Sequence, residues 1–186
     1  SSLDRLKRVW ITGAGGLIGH HLVQTLSAVS SDMAPIGLTR SELDLTDFAA
    51  VEKRFDSDRP SAVIHCAALS KTPQCEANPP LAHKLNVEVT RTLSDLAAEI
   101  PLFFFSTDLV FDGKNGLYDE NAPVNPLNVY ARTKVEAEQL VLSNPRHTVI
   151  RTSLNAGVSP TGDRSISEQL RRAWESGKLL TLFEDE

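Results

Sequence analysis

Tyr130 and Lys134 stand four residues apart in Y-A-R-T-K, a spacing that puts both on one face of a helix, one turn apart. A phenol with a reference pKa near ~10 exchanges protons poorly at neutral pH. A neighbouring ammonium favours the phenolate and makes the phenol a usable acid or base. Taken alone, the pair is common by chance. Thr107 adds a hydroxyl at the end of the apolar run Leu102-Phe103-Phe104-Phe105, in F-F-F-S-T-D. Ligands bind at the carboxyl ends of parallel strands in open α/β sheets, so this hydroxyl can donate to a carbonyl oxygen as negative charge develops there. It can equally cap a turn, and flanking Ser106 and Asp108 leave open which side chain points inward.

The stretch that would hold a cofactor is Val9 to Gly19, V-W-I-T-G-A-G-G-L-I-G. A short apolar run ends at Thr12, glycines follow at 13, 15, 16 and 19, and Leu17, Ile18, Leu22, Val23 and Leu26 then recur with helical period. Strand, tight turn and helix in that order open a nucleotide-binding βαβ unit. One glycine makes the turn, one admits a pyrophosphate to the backbone, and one lets the helix pack closely on the strand. The helix N-terminus then offers free N–H groups to the phosphates. A site for NAD(H) usually carries Asp or Glu about 20 residues further on, holding the ribose 2′-hydroxyl. Here Arg40 ends the second strand. A guanidinium matches a 2′-phosphate in charge and fork geometry, which favours NADP(H) and leaves NAD(H) possible; Glu42 lies close by. Asp44, in Leu43-Asp44-Leu45, either accepts from the adenine amine or starts the next helix.

The elements that must position these groups alternate along the chain. Strands are predicted at 34–39, 61–65, 102–105, 147–151 and 179–183, with helices at about 45–55, 81–99, 128–142 and 165–176 and a long Gly/Asn/Asp/Pro-rich loop at 112–126. This pattern specifies an α/β fold with a doubly wound parallel sheet, a Rossmann-type domain. The dinucleotide-binding domain is expected over 1–157, with 158–186 continuing the sheet and beginning an incomplete substrate-binding portion. The 186 residues carry a net charge of −5 with no basic stripe, which argues against nucleic acid as a partner. No apolar stretch nears the ~20 residues of a membrane span, and no signal peptide is seen, so the cytoplasm is the expected location. Cys66 and Cys75 have no metal spacing and read as reduced, structural thiols. His65, His83 and His147 lack a catalytic partner in the sequence, and His65 and His147, which lie near strands, read as structural. The adjacent His20 and His21 diverge by about 100° on a helix and do not chelate, and no metal site is expected.

Three stretches in order, T-G-A-G-G-L-I-G, S-T-D-L-V-F-D-G and Y-A-R-T-K, together resemble the extended short-chain dehydrogenase/reductases. More narrowly, Ser106–Gly113, Pro126–Tyr130 and Asp44–Asp47 are similar to the dTDP-4-dehydrorhamnose reductases, and the likeness spans essentially the whole chain. The resemblance implies NADPH-dependent reduction of a 4-keto nucleotide sugar. It makes Tyr130 the proton donor, Lys134 the partner of the nicotinamide ribose, and Thr107 the group orienting the substrate carbonyl. It puts Gly13, Gly16, Leu17, Ile18 and Gly19 at the phosphate turn, Arg40, Asp44 and Leu45 at the adenosine end, and Ala67 and Ala68 against the cofactor. Asn86, in K-L-N-V, takes a structural place on its helix, and dimerisation through the Tyr130 helix and the one before it is common in the family.

The chain also departs from the pattern. Leu109 stands where tyrosine is usual, and Ala131 and Ala137 replace glycines of the Tyr130 helix. Leu109 removes a hydroxyl near the substrate mouth and leaves the sugar open. Epimerases and dehydratases share the scaffold. So does the regulatory β subunit of methionine adenosyltransferase, a binding partner rather than an enzyme, with which V-I-H-C-A-A at 63–68 is compatible. The chain lacks an initiating Met and stops where the family continues, so it is expected to be part of a longer protein. By itself it is expected to bind NADPH weakly and not to reduce a keto sugar. The reading of Arg40 has a direct check. Arg40→Ala should weaken NADPH by roughly ten- to a hundredfold, the cost of a charge-assisted contact, while NADH hardly changes. Fluorescence titration of both cofactors measures this, and equal weakening would remove the 2′-phosphate assignment.

Overall fold

A computed structural model of the chain describes residues 6–68, 71–107, 127–152, 170–171, 174 and 180–182. Its strands are β1 (Lys7–Thr12), β2 (Met33–Leu38), β3 (Ala62–His65), β4 (Leu102–Thr107), β5 (Thr148–Thr152) and β6 (Leu180–Leu182). They form one sheet in the order β2-β1-β3-β4-β5-β6, and every neighbouring pair is parallel. The helices are α1 (Leu17–Val29), α2 (Phe48–Asp58), α3 (Thr72–Ala77), α4 (Pro79–His83), α5 (Val89–Leu96) and α6 (Val129–Leu142). The expected doubly wound Rossmann-type sheet is present. From β1 the chain steps outward to β2 and then returns to place β3 on the other side of β1. The order therefore reverses between β1 and β3, where an open α/β sheet forms its binding crevice.

Strand alternation divides the core in two. Val9 and Ile11 of β1 face the same side as Phe103 and Phe105 of β4, where Leu22 and Leu26 of α1 and Leu170 cover them. Trp10, Leu102 and Phe104 face the other side, against Val51 of α2, Leu93 of α5 and Val141 of α6. The continuous apolar run at 102–105 is thus a strand buried on both faces, as parallel sheets require. Trp10 donates its indole N–H to Asp58 at 2.9 Å, which also accepts from Arg54 at 2.8 Å.

Two expectations are corrected. The second helix begins at Phe48 rather than near 45, because Asp47 supplies the N-cap, accepting from the Ala50 N–H at 3.1 Å. Asp44 does not start it and instead closes the preceding turn on the Thr46 N–H and hydroxyl. The single helix expected over 81–99 is a succession. It comprises α4, a π-helical turn at Lys84–Glu88 and α5, and α3 precedes it without having been anticipated. The expected loop at 112–126 and most of the helix expected at 165–176 lie outside the described residues. No helix among the described residues is long and apolar enough to cross a membrane.

Among the described glycines, Gly19 leaves the least room for a side chain where α1 meets the turn after β1. A Cβ on Gly19 would lie 2.7 Å from the Gly13 carbonyl carbon and closer still to its oxygen. Both atoms are backbone, so neither can rotate aside. Gly19→Ala should lower the unfolding free energy by about 3 kcal/mol, the upper range for overpacking. Urea titration followed by circular dichroism measures it, and a variant as stable as the parent would show that α1 can slide on β1.

Candidate functional site

Gly13 takes the left-handed conformation (φ 66°) that a side chain resists, and a Cβ there would sit 2.8 Å from the Ala67 nitrogen. The turn after β1 and the end of β3 therefore touch backbone to backbone. The Gly16 N–H donates to the Gly13 carbonyl at 2.9 Å, and α1 then starts with no side-chain cap and no acidic residue in its first turn. By contrast, α2 and α6 are capped by Asp47 and Asn128. A Cβ on Gly15 would meet nothing within 4 Å among the described residues, so their packing gives no reason for glycine there.

A cleft of about 650 Å³ opens over this turn. It gathers Gly13, Gly16, Leu17, Ile18, Gly19, Arg40, Asp44, Leu45, Ala67, Ala68, Tyr130 and Lys134 from four separate stretches of chain. Thr107 is the last residue of β4, at the carboxyl end expected of it; its hydroxyl, and the whole of Asp108–Gly113 with Leu109, lie outside the described residues. Lys71 and Gln74 at the start of α3 also line the cleft. Neither carried a signal in the sequence, because α3 itself was not read.

Tyr130 and Lys134 are each 3% exposed. The helix that bears them is fixed at its first turn twice, by Asn128 accepting from Ala131 N–H at 2.7 Å and by Glu76 of α3 accepting from Val129 N–H at 2.7 Å. The Lys134 ammonium donates to the Phe105 carbonyl at 2.8 Å and lies 4.3 Å from the centre of the Phe104 ring. Burial brings its pKa down to about 8, with Glu138 and then Cys66 opposing the shift.

A buried relay links the two halves of the cleft. The Thr12 hydroxyl oxygen accepts from the N–H groups of Cys66 and Ala67 at 3.0 and 3.2 Å. Thr12 pairs with His65 Nδ1 at 2.7 Å, and His65 Nε2 pairs with the Thr90 hydroxyl at 2.9 Å. Because Thr90 donates its own proton to the Asn86 carbonyl at 2.7 Å, His65 must donate from Nε2 and accept at Nδ1. The Asn86 amide donates to Thr133 at 3.0 Å, and Thr133 donates to the Tyr130 carbonyl at 2.7 Å. The histidine read as structural is thus the middle of a chain running from Ala67 to the backbone of Tyr130. Asn86 holds the structural place expected of it. His147 is likewise structural, set between Ser94 and the Ala97 carbonyl.

The family of the RmlD substrate binding domain matches residues 7–186. The chain belongs to that family. Within reach of it, a methionine adenosyltransferase 2 subunit beta from Danio rerio is 32% identical over 183 residues, covering 95% of this chain and 57% of that protein. A dTDP-4-dehydrorhamnose reductase from Aggregatibacter actinomycetemcomitans is 34% identical over 172 residues, covering 90% of this chain and 58% of that protein. The crystal structure of a dTDP-4-dehydrorhamnose reductase from Bacillus anthracis in complex with NADP superposes with a TM-score of 0.75 at 32% identity, over 80% of this chain and 54% of that one. The chain therefore spans less than two thirds of the length of these RmlD-type relatives, and the resemblance read from the three motifs holds.

His65 makes this site sensitive to acid. Burial first, and the Lys134 charge second, hold its pKa down at about 3, against 6.5 unperturbed. Between those values the unfolded chain binds a proton that the folded chain refuses, so stability is full above pH 6.5 and falls as the pH drops toward 3. At pH 4.5 the loss from His65 alone should be about 2–3 kcal/mol, at 1.36 kcal/mol per pH unit. Urea denaturation of the parent and of His65→Gln at pH 7 and pH 4.5 measures the difference. If both lost the same stability on acidification, His65 would not be the titrating group.

Proposed function

We propose that this chain forms the cofactor-binding and proton-transferring part of an NADPH-dependent reductase acting on a 4-keto nucleotide sugar. The observation that carries the reading is the meeting, in one cleft, of an uncapped glycine-turn helix and the Tyr130–Lys134 pair. The cleft fits a dinucleotide by its own chemistry. The free N–H groups of α1 suit a pyrophosphate, Gly15 leaves the backbone open to it, and Arg40 offers a fork for a 2′-phosphate. When bound, the nicotinamide supplies the hydride for the substrate carbonyl carbon. The chain supplies the rest. Tyr130 gives its phenolic proton to the developing alkoxide, and Lys134 favours the phenolate that remains. Thr107, at the end of β4, holds the carbonyl oxygen as its charge grows. A lysine with a pKa near 8 is charged through most of the neutral range, which suits this role.

The methionine adenosyltransferase subunit beta relatives favour a second reading, in which the same cleft belongs to a regulatory partner and turns nothing over. Binding and turnover separate the two. Thermal shift of the 186-residue chain should show NADPH raising the midpoint more than NADH. In the whole natural protein, Tyr130→Phe should leave NADPH affinity unchanged and cut reduction of a dTDP-4-keto-6-deoxy sugar by about 10²–10⁴-fold. Absence of turnover in the parent, together with stoichiometric recovery of a partner enzyme in a pull-down, would establish the regulator instead.

A further inference from the structure

One helical turn beyond Lys134, Glu138 is 2% exposed, and both of its carboxylate oxygens are fully engaged. One accepts from the Ser106 hydroxyl at 2.7 Å and from Arg151 Nε at 3.2 Å; the other accepts from Arg151 Nη2 at 2.7 Å and Nε at 3.0 Å. Arg151 is itself 8% exposed. A buried ion pair is a poor device for stability alone, since apolar side chains of the same volume commonly do as well. What distinguishes this one is where its partners stand. Ser106 lies between Phe105, whose carbonyl receives the Lys134 ammonium, and Thr107. Arg151 is the residue before the end of β5 and is aligned with Ser106 across the two strands. One carboxylate therefore ties α6 to the carboxyl ends of two strands at the floor of the cleft.

We propose that Glu138 is a positioning residue for the Tyr130–Lys134 pair, fixing the end of β4 beneath the Lys134 ammonium and providing the anionic charge against which that ammonium is held. This rests on the reading of Tyr130 and Lys134 as the proton-transferring pair. The titratable groups whose charges reach the ammonium are Glu138 from α6 and His65 and Cys66 from the end of β3, with Tyr130 one turn back on the same helix and Arg151 behind the carboxylate. Burial keeps His65 unprotonated and pushes the Cys66 thiol up to about 12, so both are neutral at pH 7. Arg151 is committed to the carboxylate it grips. Glu138 is left as the source of negative charge, and it acts on Lys134 in the raising direction.

The test is direct titration of Lys134, by the carbon-13 shift of its ε-methylene in the 186-residue chain. The resonance is assigned by its loss in Lys134→Arg. Glu138→Gln removes the charge, and Glu138→Gln/Arg151→Met removes it without leaving a buried cation unpaired. The midpoint, about 8 in the parent, should fall by about one pH unit or more in both variants. NADPH affinity at pH 8 should then drop about tenfold relative to the parent and recover at pH 6. A merely structural ion pair would lower the thermal midpoint and leave the Lys134 titration where it was, which would overturn the proposal. Failure of the double variant to fold would overturn it too, by making Glu138 a folding element first. If the parent binds no NADPH at all, the reductase reading fails, while the Lys134 titration still decides the role of Glu138.

Discussion

At the point where the sheet reverses its order, two strand ends must separate enough to admit a ligand and yet remain fixed relative to each other. The Thr12 hydroxyl meets that constraint. It takes two partly buried backbone N–H groups from the end of β3 and so fixes that strand end against β1. Its own proton passes into the relay through His65, Thr90, Asn86 and Thr133. From the β3 amides through Thr12 and His65 to Thr90 every donor points the same way, so each of those bonds polarises the next, and at Asn86 the line passes from the backbone carbonyl to the side-chain amide. The left-handed turn at Gly13, the seat of α1 and the setting of the Tyr130 backbone all hang on this line. Its far end emerges from a π-helical turn, an arrangement often found near functional sites. Here the Asn86 carbonyl is placed to receive Thr90 while its side chain reaches α6.

Much of this was legible in the sequence, and the reasons are physical. The glycine turn shows because backbone contact at Gly13 and Gly19 tolerates no other residue. The Phe-rich run shows because a strand covered on both faces has no polar alternation. Tyr130 and Lys134 show because helical spacing converts directly into a shared face. The relay and the ion pair did not show, since Thr12 with His65 and Glu138 with Arg151 are joined by packing between elements rather than by spacing within one. The π-helical turn was missed for a different reason. Its residues carry the same apolar periodicity as a plain helix, and only the extra residue in the turn betrays it. The second helix began late because two aspartates three residues apart, Asp44 and Asp47, both suit a cap, and propensity does not rank them.

The family comparisons meet a general limit of inference from scaffolds. Reductases and an adenosyltransferase subunit both resemble this chain at similar identity, so likeness alone does not choose between them. Function on such a scaffold is a property of the groups set in the crevice. In this chain those groups include a buried cation and a phenol on one face of α6, with a fully engaged carboxylate one turn further along the helix. A buried ammonium is costly to retain, and here the Phe105 carbonyl and the Phe104 ring hold it.

Cys66 carries a consequence of a different kind. It lines the cleft and is a free thiol, yet its pKa of about 12 leaves roughly one molecule in 10⁵ as thiolate at pH 7. Sulfur in that state is almost inert to alkylating agents and to peroxide. The amine of Lys134, with a pKa near 8, is by comparison available as a free base in about a tenth of molecules at the same pH. At neutral pH the crevice therefore holds far more free amine than thiolate. The chain keeps a cysteine beside its reactive groups without acquiring the vulnerability to oxidants that an exposed one would bring.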